Sequence, residues 1–178
     1  MEITDIHEMI YKYLYDKHLA DSTFKFTTRT RNNRGRLEKG YWFTGGEDYI
    51  EISFWKGKDS LAKINNIGFT VLLRNTRKEV YYNFSCKDGN NCEVINKLVA
   101  QFNLRKIGNP VNNYWEKTII SNFYDMNQII VALDTFINNE KKVIDRIIQQ
   151  NRGKGIEFIP DKDFEKNIQK IENIRSTC

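Results

Sequence analysis

The residues with most chemical potential are the cations of Arg29-Thr-Arg-Asn-Asn-Arg-Gly-Arg-Leu-Glu-Lys39, which run straight into Gly40-Tyr41-Trp42-Phe43. Cationic side chains attract phosphates and aromatic rings stack on bases, so this segment points to a nucleic-acid surface. Asn32, Asn33 and Gly35 make it a polar, turn-rich loop, in which Arg29, Arg31, Arg34, Arg36 and Lys39 can follow a groove or fork onto guanine edges. Further cations at Lys56, Lys58, Lys63, Arg74, Arg77 and Lys78 fall in or beside predicted turns. If those turns share one end of a sheet, they extend the loop into a positive rim. Trp42, Tyr49 and Trp55 are the candidate stacking rings, and a pocket of two or three rings would also suit a flipped base or a methylated group.

Catalytic constellations are weaker. Asp48, Glu51 and Lys56 hold the residue types of a metal-dependent nuclease, in which carboxylates bind a cation and activate water. Glu51 is followed by Ile52 and Ser53, so the usual acid-x-Lys step is absent and the nuclease is a third-ranked reading. There is no Gly-x-x-x-x-Gly-Lys-Ser/Thr phosphate loop; Gly45-Gly46 and Gly153-Lys-Gly155 read as turns. Cys86 and Cys92 have no histidine near in sequence to serve as a base. The chain therefore reads as a binding module, with no catalytic residue, metal ligand or cofactor assigned.

The bulk numbers fit that reading without requiring it. The 178 residues are 40% hydrophobic, enough for one ordinary core, and 28 Lys+Arg against 23 Asp+Glu leave a net charge of +5. No stretch has the order of a signal peptide, and no apolar run approaches the ~20 residues of a membrane helix, so a soluble cytoplasmic protein is expected. Cys86, Cys92 and Cys178 form an odd set without a Cys-x-x-Cys pair, and reduced thiols are expected. His7 and His18 lie on one predicted helix, too far apart to share a metal.

The elements that must position these residues follow from periodicity. Ile3, Ile6, Met9, Ile10, Tyr13 and Leu14 predict an amphipathic helix over 2–18, with Thr4 or Asp5 as its cap. Phe24 to Arg29 alternates as a strand, and four more strands follow at 41–43, 49–55, 67–73 and 80–86, linked by connections short enough for an antiparallel meander. Within 49–55, Ile50, Ile52 and Phe54 share one face, leaving Tyr49, Glu51, Ser53 and Trp55 as a partly exposed platform. A helix over 94–102 and a strand over 114–120 come next. The segment 126–151 is one helix with an awkward Asn138-Asn139 centre or two packed helices, and 161–174 is a short charged helix.

The basic loop, Gly40-Tyr-Trp-Phe-Thr-Gly45, Tyr49-Ile-Glu-Ile-Ser-Phe-Trp-Lys-Gly57 and Asn66-Ile-Gly-Phe69 together resemble N-terminal domains that precede ATPase modules in bacterial defence proteins. In role they are similar to the target-recognition domain of McrB-like modification-dependent restriction GTPases. The resemblance spans residues 20 to 120 and carries no catalytic residues. It implies a DNA-binding module whose ATPase or nuclease lies on a further region or another chain.

The expectation is an α+β protein: an antiparallel, twisted sheet of about five strands with an N-terminal helix and a C-terminal helical group. Residues 1–151 form a single binding domain and 152–178 a linker with a short helix, leading on to a further domain. The expected function is nucleic-acid binding, with DNA as partner and possible sensitivity to a modified or flipped base. The rival from another class is a protein-interaction module docking through the aromatic face and the 126–151 helices.

Overall fold

The computed structural model describes residues 2–57, 65–87, 92–107 and 112–177. Lys58, Lys63 and the turns predicted at 57–59, 88–91 and 108–110 lie wholly or partly outside the described residues. The architecture is α+β, as expected. Strands β1 (Thr44–Gly45), β2 (Tyr49–Ile52), β4 (Asn65–Arg74), β5 (Arg77–Lys87), β6 (Arg105–Ile107) and β7 (Asn112–Ser121) form an antiparallel sheet in the order β1-β2-β4-β5-β7-β6. Strands β3 (Trp55–Gly57) and β8 (Ile156–Phe158) pair in a second, two-stranded sheet.

Alternation along the strands separates two faces. Ile50, Ile52, Ile67, Phe69, Val71, Val80, Tyr82 and Phe84 are buried in the core. That core takes Ile6, Ile10 and Leu14 from helix α1 (Ile3–Ala20), Ile95 and Leu98 from α2 (Glu93–Gln101), and Ile129, Leu133 and Phe136 from α3 (Met126–Asn138). Helix α4 (Glu140–Gln150) adds Ile144 and Ile148. Opposite the core, the register aligns Glu51 with Thr70, Thr70 with Tyr81, Gly68 with Asn83, and Asn83 with Glu116. This second face is polar.

Several sequence expectations are corrected. Residues 49–55 are not one strand: Ser53 Oγ donates to the Trp55 carbonyl at 3.0 Å and accepts from its N–H at 3.3 Å. A serine hydroxyl bonding its own backbone competes with the ladder, and the chain leaves the large sheet so that β3 can pair with β8. Phe24 to Arg29 and Tyr41 to Phe43 lie outside the ladders, held by Thr27 N–H to Ser53 O and Arg29 N–H to Trp42 O, both at 2.7 Å. Helix α1 begins after Glu2 with no side-chain cap, so neither Thr4 nor Asp5 has that role. Of the two readings left open for 126–151, the structure has the two helices, divided at Asn139, where φ is −110° and ψ −75°.

The C-terminal segment packs with the rest of the chain. It supplies β8 and α5 (Asp161–Arg175), and Ile156, Ile159, Phe164, Ile168 and Ile171 belong to the same core as α1 and the sheet. Cys86 and Cys92, expected as free thiols, are joined in a disulfide. The end of β5 and the start of α2 bring their Cα atoms within 5.8 Å, inside the range such a bond needs.

Candidate nucleic-acid interface

The basic loop divides into two sets of cations. Arg29 Nε donates to Tyr41 O at 3.0 Å and its Nη2 to Gly45 O at 3.1 Å, while Arg36 Nη1 donates to the same Gly45 carbonyl at 2.7 Å. Arg36 also lies 3.6 Å from Glu47 and over the Tyr41 ring. Gly45 itself is obligatory, because at φ 141° an added Cβ would lie 2.1 Å from the Tyr49 carbonyl oxygen. Arg29 and Arg36 thus clasp the loop to the β1–β2 turn. Arg31, Arg34 and Lys39 point outward and are exposed.

The stacking rings divide similarly. Trp42 is 5% exposed with its indole N–H on Glu8 at 2.8 Å, and Trp55 is 3% exposed with its N–H on Asp145 at 2.8 Å. Their faces are taken by the core, since the largest apolar areas gain most from burial. Of the expected rings, Trp55 packs with Phe24 and Phe54 around a cation of the protein itself: the Lys141 ammonium sits 5.7 to 5.8 Å from their three centroids. Of the three candidate rings only Tyr49 is exposed, at 37%.

The register puts the β1–β2 and β4–β5 turns at one end of the sheet, as a rim requires, but acids are interleaved there. Arg74 pairs with Asp48 at 2.7 Å, and Arg77 with Glu79 at 2.6 Å and Glu116 at 3.8 Å. Asp48 is therefore engaged at the sheet end, whereas Glu51 lies against Gly68 on the polar face, about 10 Å further along β2 at ~3.3 Å per residue. The nuclease carboxylates are not brought together.

A larger feature lies where the sequence reading placed a linker. Helix α5, the extended segment 26–30 and the β2–β3–β4 edge enclose an open groove of about 1300 Å³. Lys162, Lys166 and Lys170 recur every four residues, which aligns them along one helix stripe, and all three are exposed on the groove wall. Lys56 joins the lining and pairs with Asp163 at 2.5 Å. Lys170 Nζ donates to the carbonyl of Thr30 at 3.3 Å, so the lysine row abuts the start of the basic loop. The four-residue spacing was available in the sequence; the docking of α5 that gives it a direction was not.

The floor of the groove carries Glu51, Ser53, Asn66 and Thr28. Asn66 Nδ2 donates to Glu51 Oε1, and burial pushes the Glu51 carboxyl above the usual carboxylate range, with the Asn66 bond opposing. Gly68 leaves room for Glu51: a Cβ there would lie 3.0 Å from Glu51 Cγ and 3.1 Å from Asn83 Nδ2. A glycine inside a strand marks such a close approach. Next on this face, Asn83 Nδ2 donates to Thr70 Oγ1 at 3.0 Å, and Glu116 takes Arg105 at 2.6 Å. Thr28 Oγ1 is buried and has no hydrogen-bond partner among the described residues.

Comparison with family models, with curated proteins and with solved structures finds no match to this chain.

Proposed function

We propose that this chain is a nucleic-acid-binding module, with DNA the expected partner. The observation that carries the reading is the Lys170 bond to the Thr30 carbonyl, which makes one cationic tract of the exposed loop residues Arg31, Arg34 and Lys39 and the α5 row Lys162, Lys166 and Lys170. The tract replaces the originally expected set: Arg29 and Arg36 serve the fold, and Arg74 and Arg77 are paired with acids. Tyr49 remains an exposed ring on the same strand as Glu51. Service in a restriction or defence assembly, with a motor or nuclease elsewhere and sensitivity to a modified base, extends this proposal through the sequence resemblance.

Titration of a labelled oligonucleotide at rising salt tests it. Binding should weaken log-linearly with salt, and Lys166→Ala with Lys170→Ala should flatten the slope by about 1.4 on a single strand or about 1.8 on a duplex, if each lysine neutralises one phosphate. Arg31→Ala with Arg34→Ala should act in the same direction. Absence of binding at low salt, or a slope indifferent to both pairs, would overturn the proposal.

A further inference from the structure

We infer that the groove beside α5 holds a single strand of nucleic acid, phosphates along Lys162, Lys166 and Lys170 and one base edge against Glu51 and Asn66. The inference rests on the nucleic-acid reading and goes beyond it by choosing the form of the ligand and the subsite that reads it.

Shape argues first. Reading a duplex from outside takes a protruding helix or ribbon that enters the major groove. Here α5 has Phe164, Ile168 and Ile171 buried and presents its lysines along the wall of a concave channel. The rim is crossed by the Lys170 to Thr30 bond. A channel of about 1300 Å³ admits a few nucleotides of one strand and not the body of a duplex. Successive lysines four residues apart are about 6 Å apart along the helix, comparable with the step between neighbouring phosphates of an extended strand.

Floor chemistry argues second. A single strand exposes base edges that pairing would hide, and a protein reads them with side-chain donors and acceptors. After giving one N–H to Glu51, Asn66 keeps a second N–H and its carbonyl oxygen, and Glu51 keeps its other carboxyl oxygen. Burial raises the Glu51 carboxyl above the usual carboxylate range, which eases its protonation beside a phosphate. Thr28, lining the same groove, has a buried hydroxyl without a partner among the described residues. Of the acids on the wall, Asp163 is neutralised by Lys56, and Glu165 leaves the three lysines in excess.

The test compares three probes on the full chain: a single-stranded oligonucleotide, its duplex, and an abasic single strand of equal length. The wild type should bind the intact strand about tenfold or more tightly than either other probe, a comparison that needs no variant. Glu51→Leu with Asn66→Ala should bring the intact strand down to the affinity of the abasic one, whereas Glu51→Gln, neutral and still a donor, should keep the preference. Lys166→Ala with Lys170→Ala should weaken intact and abasic strands by the same factor. Equal affinity for strand and duplex, or for intact and abasic strands, overturns the inference while leaving nucleic-acid binding standing. Binding of none of the three overturns the parent proposal as well.

Discussion

His7 is buried with Nδ1 accepting the Phe43 N–H at 3.3 Å, so its ring is held neutral, and the ring stacks 5.7 Å from Phe43. Burial first, then the nearby Arg29 and Arg36 charges, push its pKa from 6.5 down to about 3. The unfolded chain therefore binds a proton between those values that the native state refuses. Stability from this residue is complete above pH 6.5 and is lost as pH falls toward 3, at about 1.4 kcal/mol per pH unit. Chemical denaturation should show a fall of about 2 kcal/mol between pH 7 and pH 5 from this residue, and His7→Asn, whose amide oxygen can accept the same N–H, should remove most of it. An unchanged pH dependence in His7→Asn would show that other groups carry the titration. The same two arginines fasten the loop at Gly45, so two of the expected phosphate contacts also serve the architecture. Sequence spacing could not separate Arg29 and Arg36 from Arg31 and Arg34, because the distinction depends on where the Gly45 carbonyl lies.

Elements were legible where periodicity is long and unopposed. Helix α1, helix α2 and the β4–β5 hairpin lie close to their expected positions because their apolar positions repeat over several turns or pleats. Boundaries shifted where a polar side chain bonds its own backbone. Alternation of apolar and polar residues continues through Ser53, but the Ser53 hydroxyl supplies local bonds and the strand divides there. Asp125 and Gln128 were a readable signal that the sequence reading did not use: Asp125 accepts from Asn127 N–H at 2.9 Å, and Gln128 reaches back to Asp125 N–H at 3.3 Å, a reciprocal cap on α3. Asp125→Ala should cost about 1 kcal/mol in chemical denaturation, and because no α3 residue is in the groove lining, oligonucleotide affinity should be unchanged. A larger loss of affinity than of stability would connect α3 to the binding surface.

At the scale of the molecule, the fold class was readable and the site was not, because the groove is made by segments distant in the chain. Thr28, Glu51, Asn66 and the α5 lysines come from four segments, and only packing of the C-terminal helix places them around one space. Charged composition made 152–178 look like a linker, since Phe164, Ile168 and Ile171 form a stripe only one or two residues wide. That narrow stripe is enough because its partners are aromatic: Phe164 meets Phe26 edge-on at 5.3 Å and His18 at 4.6 Å. The far end of α5 is tied to α1 by Arg175, which reaches Glu8 at 2.6 Å, and by Tyr11 donating to Glu172 at 2.9 Å. If this segment belongs to the cooperative unit, damage to α5 lowers the stability of the whole. Ile171 is fully buried, so Ile171→Ala should cost about 2–5 kcal/mol. Fluorescence of Trp55, on the strand that pairs with β8, and far-ultraviolet circular dichroism should then shift together to lower denaturant in one transition. A separate linker would give the opposite pattern, with the main transition unmoved and only a small helical signal lost early.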